Sequence, residues 1–155
     1  MEPRMPNPYS HVPDSYRALA ALERSTRDDE ALPHPIQELV RLRASQINGC
    51  GFCVDMHSHE AADAGERPER LYSVAAWREA PWFTREERAA LALTEAVTRL
   101  ADNPEGVPDD VWDEAAAVFD ERSLALVVTT IATINAWNRI SVTTRQIAGS
   151  HRGAA

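Results

Sequence analysis

Along most of the chain, apolar residues recur at steps of three and four, the spacing of helices with one buried face. Residues 14–29 carry Tyr16, Leu19 and Leu22 in that pattern, with Asp14 placed to cap the start. "HPIQELVRLRASQI", residues 34–47, follows with Pro35 suited to a first helical turn. Asn48-Gly49 breaks the pattern, and a new helix is predicted from Cys50 to Ala64, closed by Gly65. Pro68 opens another over "PERLYSVAAWREA". Thr84 and Glu87 stand three apart, as in a capping box, ahead of the long apolar face of residues 84–101. "DNPEGVP" reads as a loop, residues 109–119 as a short amphipathic helix, and "SLALVVTTIATINAWNRI" as a longer helix.

That last segment carries a competing signal. Val127 to Ile131 is β-branched throughout, which favours a strand. The apolar character continues for nearly twenty residues without a turn, however, and no second segment offers a strand to pair with it. The pattern therefore predicts an all-α fold, a compact bundle of about six to seven helices in a single domain spanning 1–155. Residues 1–13 and 149–155 are expected to be loose ends. So apolar a final helix needs covering on several sides, which predicts a homo-oligomer.

Composition narrows the chemistry. The chain of 155 residues has a net charge of −8, and all sixteen of its basic residues are arginines scattered through every segment. Nucleic-acid binding needs clustered cations and is not expected. No run approaches the roughly 20 apolar residues of a membrane span, and no apolar leader opens the chain, so a cytoplasmic location and no membrane partner are expected.

Both cysteines lie in "SQINGCGFCVDMHSHE", residues 45–60, as C-x-x-C followed by histidine four residues later. On a helix, Cys53 lies about 60° and His57 about 20° from Cys50 around the axis, so the three share one stripe. His59 lies about 160° from His57, whereas Glu60 falls on the stripe. Both thiols occupy a first turn, where free backbone N–H groups and the helix dipole favour a thiolate. A redox pair with a proton-transferring imidazole is one reading. A zinc site is a second; it would need a fourth ligand from His11, His34, His59 or His151. Two inert buried cysteines are a third.

"ELVRLRASQINGCGFCVDMHSHEAADAGE", residues 38–66, resembles the core motif of the carboxymuconolactone decarboxylase superfamily, and more closely its alkylhydroperoxidase D (AhpD)-like branch. That pattern sets a glutamate twelve residues before C-x-x-C and a histidine four residues after it; Glu38, Cys50, Cys53 and His57 occupy these positions. The likeness is strongest over residues 36–100, and "TINAWNRI" resembles the family's closing helix. It implies a homo-oligomer (dimer, trimer or hexamer) that reduces hydroperoxides with an external thiol or dithiol and uses no metal or organic cofactor. In that scheme Cys53 attacks the peroxide and becomes a sulfenic acid. Cys50 donates a proton and then closes the disulfide, while His57, held by Glu38, relays protons. In AhpD proteins that service a peroxiredoxin a histidine commonly precedes the second cysteine; here that residue is Phe52, so the physiological partner is left open. The alternatives are a decarboxylase like the superfamily's namesake, in which the cysteine pair has no evident task, and a non-catalytic redox sensor or zinc module.

Periodicity treats Glu38 differently. Ile36, Leu39, Val40 and Ile47 form the apolar stripe of its helix, and Glu38 lies about 160° from the stripe's centre, a solvated position unless a second face is covered. Glu60 is then the rival partner for His57. Near the chain's end Asn135, Asn138 and Arg139, beside Trp137, either line a site or contact, or mark where the helix emerges into water. Trp77, Trp82 and Phe83 read as core or interface anchors.

Overall fold

Seven α-helices and four short 3-10 turns, with no strand, make up the described residues, 2–152, of the computed structural model. In chain order the helices are α1 (Pro13–Arg27), α2 (His34–Ile47), α3 (Gly51–Asp63), α4 (Pro68–Ser73), α5 (Arg85–Thr98), α6 (Asp109–Val118) and α7 (Glu121–Thr144). The β-branched run of residues 127–131 is helical, as its length and lack of a partner strand predict. Val127 and Ile131 are fully buried.

α2 is the centre of the molecule. It packs on α3, α5 and α7 at once, so almost its whole circumference is buried, including Gln37, Glu38, Arg41 and Ser45. One apolar cluster joins α2, α5 and α7 through Ile36, Val40, Leu93, Val127 and Ile131. A second joins Leu39, Leu42 and Leu91 to Val74, Trp77 and Phe83. α7 is covered by α1, α2, α3, α5 and α6 of the same chain. Among the described residues no helix is long and apolar enough to cross a membrane.

Local signals set most boundaries. Thr84 and Glu87 form the full capping box, and Glu87 also pairs with Arg70 through Arg70 Nη2 to Oε1 at 2.5 Å. Asp120 caps α7 by accepting from the Ser123 N–H. Two expectations are corrected. Asp14 does not cap α1: the helix starts at Pro13 with Val12 at the cap position, and Asp14 pairs with Arg17 within the first turn. The helix predicted to run to Ala80 ends at Ser73 and continues as a 3-10 turn. Val74, Trp77 and Ala80 are all buried at steps of three, and a threefold period keeps such residues on one side where an α-helix would rotate them apart.

The ends are tied down, not loose. The N–H groups of Arg4 and Met5 donate to the Thr144 carbonyl, and Tyr9 packs against Tyr16 and Trp137 with ring centres 4.4 and 5.9 Å away. At the other end the Gly149 N–H and Arg152 both reach Asp55 on α3. Met1 and residues 153–155, expected to be loose with them, lie outside the described residues.

Candidate active site

The turn between α2 and α3 sets the thiols. Gly49 takes φ +66°, a conformation that a side chain resists, and the Cys50 N–H returns to the Ser45 carbonyl. A buried polar network fixes this turn to α7. Asn48 Nδ2 donates to Asn135 Oδ1 (3.0 Å) and to Asn138 Oδ1 (2.8 Å), and Asn138 Nδ2 donates to Ser45 Oγ at 3.1 Å. Asn135 and Asn138 thus neither line the site nor emerge into water; they hold the loop that presents the cysteines. Arg139 donates back to the Asn135 carbonyl and Oδ1.

α3 begins with Cys50 at the cap position, and Cys50 Sγ accepts the Cys53 N–H at 3.3 Å. The two sulfurs are bonded as a disulfide, with Cα atoms 5.3 Å apart. Cys53, His57 and Ala61 are the buried residues of this helix, one inward stripe at four-residue steps. His59 points the other way, with Nδ1 2.7 Å from the Asp55 carbonyl oxygen.

Glu38 and His57 meet. His57 Nδ1 donates to Glu38 Oε2 at 3.0 Å, and both side chains are about 1% exposed. Glu60 Oε2 lies 3.4 Å from the same nitrogen but is partly solvent-exposed. Both carboxylates named from the sequence therefore face the imidazole, Glu38 from the core and Glu60 from the rim. The covered second face of α2 that Glu38 required is supplied by α3.

The pair belongs to a buried ionic cluster. Arg41, 0% exposed, donates Nη1 to Glu38 Oε1 (3.0 Å) and places Nε 2.9 Å from Glu23 Oε1. Arg27 Nη2 is 2.9 Å from Glu60 and 3.5 Å from Glu38. Three carboxylates thus face two guanidinium groups, and an imidazolium at His57 balances the charge. Burial lowers the His57 pKa, but its hydrogen bonds to the Glu38 and Glu60 carboxylates, together with their charges, outweigh it and the net shift is upward. Burial raises Glu38, yet the His57 hydrogen bond and the charges of His57, Arg41 and Arg27 carry it below the usual carboxylate range. The His57 hydrogen bond, with help from Arg27, draws Glu60 down to about 2. Glu38, His57 and Glu60 lie close enough to share a cation, but the Arg27 guanidinium already spans the two carboxylates.

With Nδ1 engaged, His57 Nε2 is buried and has no hydrogen-bond partner. The His57 residue borders a cavity of about 400 Å³ together with Cys53, Met56, Tyr9, Tyr16 and Trp137. This arrangement can do two things: offer a titratable imidazole in the cavity that Cys53 lines, and seat a largely apolar molecule between the aromatic walls. The sequence did not point to Arg27, Arg41, Glu23 or the tyrosines. The only signal was on α2, where Gln37, Glu38 and Arg41 stand at the three- and four-residue steps that allow pairing within one helix.

The described residues thus form an all-helical bundle that presents a C-x-x-C disulfide at a helix start, with a buried Glu-His pair on the same side of that helix. A model of the carboxymuconolactone decarboxylase family matches residues 13–96, and the chain belongs to that family as an AhpD-like member. The protein YdfG of Bacillus subtilis is 35% identical over 134 residues, which is 86% of this chain and 89% of that one. A solved structure from Agrobacterium tumefaciens superposes with a TM-score of 0.89 at 36% identity, covering 95% of this chain and 98% of that chain; it is a protein of unknown function, put forward as an antioxidant defence protein AhpD. The debrominase Bmp8, solved with 2,3,4-tribromopyrrole, shares the fold at a TM-score of 0.79 and 19% identity, covering 91% and 74% of the two chains.

Proposed function

We propose that the protein is a cytoplasmic thiol-dependent peroxidase that reduces organic hydroperoxides by cycling Cys50 and Cys53 between dithiol and disulfide. The observation that carries this reading is the shared cavity. Cys53 and His57 line one hollow with aromatic walls, His57 Nε2 is left without a hydrogen-bond partner, and Glu38 holds the imidazole at Nδ1. In the reduced protein the Cys53 thiolate attacks the hydroperoxide O–O bond. The alkoxide leaves with a proton from His57, giving an alcohol and a sulfenic acid on Cys53. Cys50 then attacks that sulfur and water departs, which regenerates the disulfide. An external dithiol closes the cycle. The antioxidant description of the Agrobacterium relative supports the reading.

The test separates the two thiols. Reduced Cys50→Ser and Cys53→Ser proteins are mixed rapidly with cumene hydroperoxide and analysed by mass spectrometry. Sulfenic acid is expected on the Cys50→Ser protein alone. The reverse pattern exchanges the two roles, and no oxidation of either variant removes the peroxidase.

The reading includes a homo-oligomer. α7 is covered within its own chain, so the homo-oligomer rests on the family resemblance, and Tyr72, Trp82 and Trp112, each more than 40% exposed, are free for such a contact. Trp82, read from the sequence as an anchor, is available for such a contact, whereas Trp77 and Phe83 are core. Sedimentation velocity is expected to give a dimer or larger, and a monomer refutes it.

A further inference from the structure

Although their sulfurs are bonded to each other, the two cysteines line different hollows. Cys53 borders the aromatic cavity described above, and Cys50 does not. Cys50 borders a second hollow of about 420 Å³, which Cys53 does not reach. The walls of this hollow include Gly49, Gly51, Val142, Arg145, Ile147 and Ala148, from the start of α3 and the turn before it and from the end of α7 and the segment after it. Phe52 and Ser141 line both hollows and form the partition. Each cysteine is only about 1% exposed, and these hollows are the openings that the two residues line.

Thiol–disulfide exchange is directional. The incoming thiolate attacks one sulfur and expels the other, and its rate depends on access to the attacked sulfur and on how readily the other leaves as a thiolate. The second hollow gives access to Cys50. The leaving sulfur is then Cys53, the one that shares a cavity with His57. We infer that the protein has two doors, with the oxidant entering at Cys53 and a small dithiol reductant entering through the Val142–Ala148 hollow to attack Cys50. The reductant's thiolate bonds to Cys50 Sγ while the disulfide breaks, and the electron pair leaves on Cys53 as a thiolate. The reductant's second thiol then attacks its own bonded sulfur and expels Cys50, which takes up a proton. The dithiol leaves as a cyclic disulfide, oxidised by two electrons, and the protein is reduced by two. The hollow is mostly apolar, with Arg145 at its edge, and suits a compact dithiol with an apolar body.

The inference rests on the peroxidase reading for its oxidative half only, and the test keeps the halves apart. Oxidised protein is treated with 2-mercaptoethanol, quenched in acid, and the mixed disulfide is located by peptide mass spectrometry. The adduct is expected on Cys50; an adduct on Cys53, or equally on both, overturns the inference. Ala148 is exposed at the edge of the second hollow, so Ala148→Trp can plug it without disturbing the core. Reduction of this variant by dithiothreitol is expected to slow by about tenfold or more. Oxidation of the pre-reduced variant by cumene hydroperoxide should stay within about twofold of the parent, since the other door is separate. Equal slowing of both half-reactions, or of neither, overturns the inference. If cumene hydroperoxide oxidises no form of the protein while the adduct still sits on Cys50, the peroxidase reading falls and the reductant's door stands.

Discussion

Replacing Glu38 with glutamine keeps the shape of the side chain and removes one charge from the centre of the ionic cluster. In the parent, the His57 Nδ1–H to Glu38 Oε2 bond is 3.0 Å long and buried. A hydrogen bond to a charged group contributes about 1.5–3 kcal/mol, and about 1.36 kcal/mol corresponds to one pKa unit. His57 should therefore lose its proton at lower pH in the Glu38→Gln variant, because the hydrogen bond that raises its pKa no longer ends on a charge. The assay is the rate of oxidation of pre-reduced protein by cumene hydroperoxide as a function of pH. The rate should fall on the alkaline side as the His57 imidazolium is lost. Glu38→Gln moves that alkaline limb to lower pH, and at a fixed pH on the limb the rate drops about ten- to hundredfold. Stability changes as well. Arg41 is fully buried and keeps Glu23 and the new amide oxygen, so the loss is nearer about 2 kcal/mol than the roughly 3–5 of a buried pair cut outright. For a chain of this size that is about 4–8 °C in Tm. Glu60→Gln is the control: its carboxylate is 3.4 Å from Nδ1 and about a third exposed, which limits its effect to about 1 kcal/mol or less. A larger shift from Glu60→Gln than from Glu38→Gln, or an alkaline limb that stays in place in Glu38→Gln, refutes the assignment of His57 to Glu38.

Two further outcomes follow from the same geometry. His57 has a folded pKa above 6.5, so its contribution to stability is full below that pH and is lost as pH rises through the folded value. Glu38 and Glu60 are depressed from 4.5, so theirs is full above that pH and is lost as pH falls, for Glu60 through about 2. Calorimetry should therefore find the cluster's contribution complete between pH 4.5 and 6.5, and a Glu38→Gln protein whose Tm keeps the parent's full pH dependence contradicts this. Gly49→Ala meets no atom within 4 Å of the added carbon, so only the left-handed backbone is penalised, by about 1 kcal/mol or 2–4 °C in Tm; an unchanged Tm by thermal melt would show that the turn relaxes freely.

Much of the architecture could be read from periodicity because most helices here bury one face. α5 announced itself through Thr84, Glu87 and a long apolar stripe, and α2 was bounded correctly by its proline and by Asn48-Gly49. The C-x-x-C-x-x-x-H spacing placed both thiols and the imidazole on one inward stripe, because fixed steps on a single helix need no tertiary information. Glu38 is the opposite case. Its environment depends on α3 covering a face of α2 that looks polar, and a hydrophobic stripe says nothing about a face buried through charge pairing. The asparagines of α7 were opaque for a related reason: Asn138 is buried because its partners Asn48 and Ser45 lie about ninety residues away. The helix expected to reach Ala80 ended early because burial at steps of three suits a tighter turn than the α-helix.

The thiols, imidazole and carboxylates sit on α2, α3 and the adjoining face of α1, within the densest part of the bundle. The outer rim of the oxidant's cavity has a different origin: Tyr9 comes from the segment before α1 and His151 from the segment after α7. Under the proposed function, reaction and recognition are carried by separable pieces of chain. Exchanging a few residues near either terminus can retune which molecules gain entry while the electron-transferring core is left intact, and a bulky purification tag attached there would risk altering selectivity before it altered turnover.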